Sequence, residues 1–455
     1  MHKQRLEQAM TTDDATRLLE AIATNRLLIL CGAGLSMAPP SSLPSAAVVA
    51  AHCNDQNLLL TGAPLNDDIK GDLEKISRYF RGCNSFESFF IVKLVPWEKF
   101  KGEPNSGHTT IADFLACGTI VAAVTTNFDR LVEKAAERLG EPDFRAMVEI
   151  EDIPQQTDYH PYVKIHGCEE RNRQMTIWCR EQLSDSSIIT KMTAFKTWLS
   201  AHLIGRDLMF VGFWTDWGYL TDAFADSFAD ILPRHVYLVD PESEDALRQK
   251  APGLWHWAHK PNITFHYIPE SGAELLDNLR QRWSRVFLSR LTRDSQSTSI
   301  LLFGRESPQP STEGYDSAAL YALRRDLTGT PRTAPVRISV PQNSDHIAAA
   351  VHSRLLELGA SYSEHIYTFQ NKRVRLISGR GRLLSAVKSE YQQEPPISPR
   401  EDIIICAGAI SDSTPFHIVR ADEPTSIVRK GSLDNWMTHN DFMTQLRQSS
   451  DGSIE

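Results

Sequence analysis

The chain contains no C-x-x-C pair, and its seven cysteines (Cys31, Cys53, Cys83, Cys117, Cys168, Cys179 and Cys406) are scattered and odd in number. That argues against a zinc ribbon and fits a reducing, cytoplasmic setting better than a disulfide framework. No stretch approaches the ~18 uninterrupted apolar residues of a membrane span. The first 14 residues are polar, without the apolar core of a signal peptide. Positive charge is in deficit, with 48 Lys and Arg against 57 Asp and Glu, so a broad electrostatic grip on nucleic acid is not expected. There is no P-loop and no internal repeat, so any ATP hydrolysis would be a partner's work.

What is present is an ordinary globular balance, 41% hydrophobic and 23% charged, in 455 residues, a length comfortable for two domains. Short apolar runs at 27–31, 120–124, 162–165, 208–211, 236–239 and 263–267 are bounded by Gly, Pro, Asn or Asp. They lack clean alternation, as strands covered on both faces do. Helical patterns lie between them; at 129–139 the apolar set Leu131, Val132, Ala135, Ala136 and Leu139 precedes Gly140 and Pro142 as stop signals. This alternation predicts an α/β fold with a Rossmann-like, doubly wound parallel sheet. Residues 39–107 break the rhythm with helical patterns and the aromatic cluster Phe86, Phe89, Phe90 and Trp97. They read as a helical insertion over the carboxyl edge of the sheet. Beyond a polar stretch at 290–299 a second pattern begins, with strands expected at 300–303, 336–339, 373–377 and 402–406 and helices at 317–327, 346–358 and 383–391. The expected division is a first domain over 1–290 and a second, smaller α/β domain over 296–455.

Four motifs fall at expected strand tips. Cys31-Gly32-Ala33-Gly34-Leu35-Ser36 is a strand running into a G-x-G turn, where backbone can approach a pyrophosphate; Met37 stands where a third dinucleotide glycine would be, and the same pattern also makes a plain tight turn. Thr125-Thr126-Asn127-Phe128-Asp129 follows the second strand, with Asp129 equally suited to capping the next helix. Lys164-Ile165-His166-Gly167 puts a histidine at a third tip, and Val211-Gly212-Phe213-Trp214-Thr215-Asp216 ends a fourth strand on glycine. Each alone is weak. Their common placement points to one site.

In this order the motifs resemble those of the sirtuin superfamily: the glycine-alanine-glycine phosphate loop, the T-[QT]-N-x-D motif and the segment bearing the catalytic histidine. The resemblance covers roughly residues 15–285. Deacylating sirtuins carry two C-x-x-C pairs after the histidine, where this chain has only Cys168 and Cys179. They also carry a G-I-P-D-F-R run where this chain reads Met37-Ala38-Pro39-Pro40-Ser41-Ser42, and a small hydroxyl residue where it has Phe213. The double threonine and the missing zinc pairs are similar to bacterial sirtuin-like NADases of anti-phage defence. The overall plan is similar to the Thoeris NADase effectors, whose last module is a SLOG-type nucleotide sensor.

The resemblance implies NAD+ as substrate, no zinc, Asn127 and His166 as catalytic residues, and Gly32, Ala33, Gly34, Ser36, Thr126, Asp129, Gly212 and Asp216 as its binding set. His166 would deprotonate the attacking water or hydroxyl, and Asn127 would position it or the ribose. The products would be nicotinamide and ADP-ribose, or a cyclic product if an adenine nitrogen attacks. In the second domain Ser378-Gly379-Arg380-Gly381 could hold a signalling nucleotide, with Arg380 and Arg382 on its phosphate; against this, the glycines are also plain turn residues and the arginines plain solvated ones. A homo-oligomer is expected, with an ATPase translocase or a short Argonaute protein as possible partners. Two alternatives stand beside hydrolysis: an NAD-dependent protein deacylase or ADP-ribosyltransferase, and a non-catalytic nucleotide-binding scaffold.

Overall fold

A computed structural model of the chain describes residues 12–155, 161–214, 231–329, 343–392, 400–410 and 435–448. The chain forms two compact units, Met1–Arg280 and Gln281–Glu455. In the first, six parallel strands lie in the order β3-β2-β1-β4-β5-β6. They are β1 (Leu27–Cys31), β2 (Ala122–Thr125), β3 (Tyr162–Lys164), β4 (Asp207–Val211), β5 (His235–Val239) and β6 (Thr264–Ile268). Every residue of β1 to β4 is buried, which explains their unbroken apolar character. In register, Leu28 lies between Ala122 and Leu208. The chain winds outward from β1 through β2 to β3, then returns to the other side of β1 at β4. The switch point is therefore between β1 and β4, and the crevice there is where open α/β sheets take ligands. All six expected strands form, with ends shifted by a residue or two.

The insertion is helical, as its pattern predicts. It comprises Ala46–Thr61, Leu73–Gly82, a π-helical segment Phe86–Leu94 and a 3-10 turn Trp97–Phe100. Ser45 and Asp72 cap the first two helices by accepting from the amides of Val48 and Lys75. The segment has its own core, in which Val49, Ile76, Phe80, Phe90, Leu94 and Trp97 pack with Trp178. Its cohesion thus comes from aromatic burial rather than from the sheet's core.

The second unit is also α/β. Its five strands lie in the order β11-β10-β9-β8-β7: β7 (Ser361–Ser363), β8 (Ile366–Phe369), β9 (Lys372–Ser378), β10 (Ile403–Ala407) and β11 (Trp436–Thr438). β9, β10 and β11 run parallel, while β7 and β8 join as antiparallel hairpin strands. The expected helices form as Ser317–Thr328, Asn343–Glu357 and Leu384–Tyr391. The expected strand at 300–303 does not: these residues end a helix, Gln296–Phe303, closed by Gly304 at φ 74° with its amide on the Ile300 carbonyl. Four apolar residues are too few to carry a period, and Leu301 is 83% exposed, unlike a central strand residue. The expected strand at 336–339 lies outside the described residues. Among those described, no helix is long and apolar enough to cross a membrane.

Candidate functional site

The tips of β1, β2 and β4 and the loop after β3 enclose a cavity of about 620 Å³. Of the sequence-derived set, Ala33, Gly34, Ser36, Thr126, Asn127, Asp129, His166 and Gly212 line it. Gly32 stands just behind the wall, and Asp216 lies outside the described residues. The volume is within the range of small-molecule and cofactor sites.

The glycines serve the protein first. The Gly32 amide donates to the Val211 carbonyl at 3.1 Å and the Gly34 amide to the Gly212 carbonyl at 2.9 Å. A Cβ on Gly32 would lie 2.7 Å from the Phe213 Cα, and one on Gly34 would lie 2.8 Å from the Gly212 Cα. Gly212 itself sits at φ +56°, and a Cβ there would lie 2.5 Å from the Leu35 amide nitrogen. The tips of β1 and β4 are therefore interlocked backbone on backbone, which only glycine allows. Both glycine amides are consumed inside the protein rather than presented to a phosphate.

Ser36 is the hub of a buried polar network. Its hydroxyl donates to Asp129 Oδ2 at 2.9 Å, accepts from Asn127 Nδ2 at 3.0 Å and lies 3.1 Å from His108 Nε2. The Asn105 amide donates to His108 Nδ1 at 3.2 Å. A backbone amide can only donate, so Nδ1 is unprotonated and Nε2–H donates to Ser36. Burial, with the charge of Lys164 adding and Asp129 opposing, lowers His108 to about 4, consistent with a neutral ring. Asp129 Oδ1 also accepts from the Leu131 amide at 3.1 Å, at the start of the helix Leu131–Arg138, while Oδ2 holds Ser36. Ser36 is 2% exposed and its hydroxyl is fully engaged, so it shapes the site rather than contacting a ligand through that group.

Asn127 spends both amide hydrogens inward, one on Ser36 and one on the Gly32 carbonyl at 3.1 Å. What it leaves to the cavity is the acceptor Oδ1. His166 is 4% exposed, and its ring makes no hydrogen bond among the described residues. Burial, and secondarily the charge of Lys191, lowers it to about 3, so the imidazole is neutral throughout the physiological range. Beneath it, fully buried Lys164 pairs with Glu133 at 2.8 Å. Burial works against that charge, but Glu133, Cys168 and Asp129 together hold the lysine above its usual value.

Sequence reasoning missed several lining residues. The insertion supplies an apolar wall of Leu43, Val49, Leu73 and Phe100, and Trp178 stacks on Phe128 at 4.5 Å between ring centroids. At the far end, Asp240 and Glu242 follow β5. An acid directly after a buried strand was the available signal for Asp240. For His108 the signal was Asn105, an N-cap residue three positions before it.

The glycine turn after β9 belongs to the second unit. Arg380, at φ +49°, ion-pairs with Asp345 at 3.1 Å and is 4% exposed at its side chain, while Arg382 pairs with Glu390 at 2.5 Å. Neither is a solvated arginine; both are bound to carboxylates. Among the described residues no group of three or more His, Cys, Asp or Glu is arranged to hold a metal ion.

Residues 121–265 match the family model described as the SIR2-like domain. No curated protein sequence matches the chain. Among solved structures, one titled for the mechanism and regulation of Sir2 enzymes is 14% identical, over 61% of this chain and 99% of its own, with a TM-score of 0.34. A Sir2 homologue in complex with NAD is 12% identical over 60% and 94%, also at 0.34. Residues 121–265, within the first unit, are thus similar to the SIR2-like domain.

Proposed function

We propose that this protein hydrolyses NAD+ at the nicotinamide–ribose bond, releasing nicotinamide and ADP-ribose. The observation that carries this reading is a pair of open acceptors in one cavity. His166 offers a neutral imidazole without a hydrogen-bond partner among the described residues, and Asn127 offers Oδ1 because its amide hydrogens are spent inward. Water bound between two acceptors keeps its lone pairs for attack on an electron-poor carbon. As the glycosidic bond breaks, positive charge builds on the ribose, and Asn127 Oδ1 stabilises it electrostatically. His166 then takes the proton that the attacking water loses.

The rest of the cavity suits a dinucleotide. Asp240 and Glu242 can accept from sugar hydroxyls. The apolar wall from the insertion excludes bulk water from the reacting end. Turnover that needs no acyl acceptor would drain a cell's NAD, which fits an anti-phage defence effector held silent until triggered.

The test is nicotinamide release from NAD+ by the full-length protein, in the presence and absence of acylated peptide. Release independent of peptide, and lost in Asn127→Ala and His166→Ala, supports hydrolysis. Release that requires an acylated peptide would replace this reading with deacylation. NAD+ binding without turnover under any condition would favour the scaffold.

A further inference from the structure

A second cavity in the first unit, of about 330 Å³, lies on the other side of Phe100, which lines both. Four cations border it: Lys101, Arg130, Lys134 and Arg173. Three of them are answered by carboxylates at the surface. Arg130 pairs with Glu170 at 2.5 Å, Lys134 with Glu103 at 2.5 Å and Lys101 with Glu98 at 2.7 Å. All of these acids are more than half exposed, and such pairs yield readily to a competing anion.

Arg173 and Glu169 are different. Among the described residues Arg173 has no carboxylate partner; its guanidinium stacks over the Trp97 ring at 4.9 Å and its Nε donates to the Glu169 carbonyl. That leaves its terminal nitrogens, with four hydrogens, for a ligand. Glu169 is 4% exposed, lines the cavity, and has a buried Oε2 with no hydrogen-bond partner. A buried carboxyl without a partner is costly unless something completes it. Burial first, and then Asp129, raises Glu169 to about 7, against the pull of Lys164, Lys101 and Arg173. An unpaired guanidinium and an unpaired carboxyl thus border one space.

We propose that this cavity binds a phosphate group, free or as a small phosphate monoester, with Arg173 donating to its anionic oxygens and Glu169 accepting from a ligand hydroxyl. The chemistry selects phosphate over other anions. Orthophosphate carries a P–OH that can donate to the Glu169 carboxylate while its charged oxygens face the cations. Sulfate at neutral pH has only acceptors, which would oppose that carboxylate. The assignment does not depend on the reaction at the first cavity.

The test is isothermal titration of the full-length protein at pH 8 with inorganic phosphate, ribose 5-phosphate and sulfate. Phosphate should bind at least about tenfold more tightly than sulfate, the scale of one charge-assisted hydrogen bond. Arg173→Gln should weaken phosphate by about tenfold or more. Glu169→Gln, which can donate to either anion, should erase the preference for phosphate over sulfate. Asn127→Ala, in the first cavity, should leave all of this unchanged. Tighter binding of ribose 5-phosphate would name a monoester as the ligand, and equal or weaker binding would name free phosphate. The proposal is overturned if phosphate does not bind, if sulfate binds equally well to the wild type, or if binding follows Asn127 rather than Arg173.

Discussion

The two units carry the same backbone device with opposite results. After β1, the Gly32 and Gly34 amides donate to the carbonyls of Val211 and Gly212; after β9, the Gly379 and Gly381 amides donate to those of Ala407 and Gly408. Gly212 and Gly408 both have positive φ, at 56° and 69°. In each unit a glycine turn is laced to the tip of the neighbouring parallel strand. The residue between the glycines then decides the outcome. In the first unit it is Ala33, whose methyl group leaves the crevice open. In the second it is Arg380, whose side chain is tied down by Asp345 and so fills the space beside Ser378. A glycine turn after a strand therefore specifies loop packing, and a ligand cavity depends on what stands between the glycines.

The most severe way to break this contrast is to close the open site. Ala33→Arg should abolish NAD+ turnover, by about 100-fold or more, the scale of losing bound geometry. Nicotinamide release checks it, with circular dichroism to show that the fold persists. Next in size is the closed site. Asp345→Ala leaves Arg380 buried without its partner and should cost about 3–5 kcal/mol in urea unfolding. The transition affected should be one that Ala33→Arg leaves alone. Gly212→Ala should cost at least about 2 kcal/mol, because it adds a backbone collision to a strained φ. By contrast, Gly381→Ala, at φ +70° with nothing within 4 Å, should cost only about 1 kcal/mol.

Protonation sharpens the comparison on a smaller scale. Burial holds His108 near 4 and His166 near 3 in the first unit, and His352 near 3 in the second. These values lie below the unfolded value of about 6.5, so the unfolded chain binds protons first as pH falls. The stability that neutral histidines provide is full above pH ~6.5 and is lost progressively below it, by about 2 kcal/mol per histidine at pH 5. Denaturant midpoints at pH 7 and pH 5 should therefore fall further for the first unit than for the second. The same depression should displace the acid limb of kcat/KM for wild-type turnover well below pH 6. A limb near 6.5 would mean that His166 is not the group that accepts the proton.

The sheet of the first unit was legible because strands buried on both faces declare themselves as apolar runs, and their tips brought Asn127, Asp129 and His166 to one cavity. Ile300 to Phe303 misled because the same composition suits either a strand or the last turn of a helix. The hairpin of β7 and β8 escaped because its turn falls on Glu364 and His365, both at positive φ and neither a usual turn former. The roles of Ser36 and His108 were hidden for another reason. They are exercised across 72 residues of sequence by a hydrogen bond, and no local pattern records such a pairing.

That network also has a direction. From the Asn105 amide to His108, from His108 to Ser36 and from Ser36 to Asp129, every donor points the same way and the chain ends on a carboxylate. No member can turn its proton around without breaking two neighbours. The Ser36 hydroxyl proton, sealed from solvent at the foot of the cavity, should accordingly exchange with water only when the loops bearing it open. It would serve as a slow internal clock for the breathing of the site.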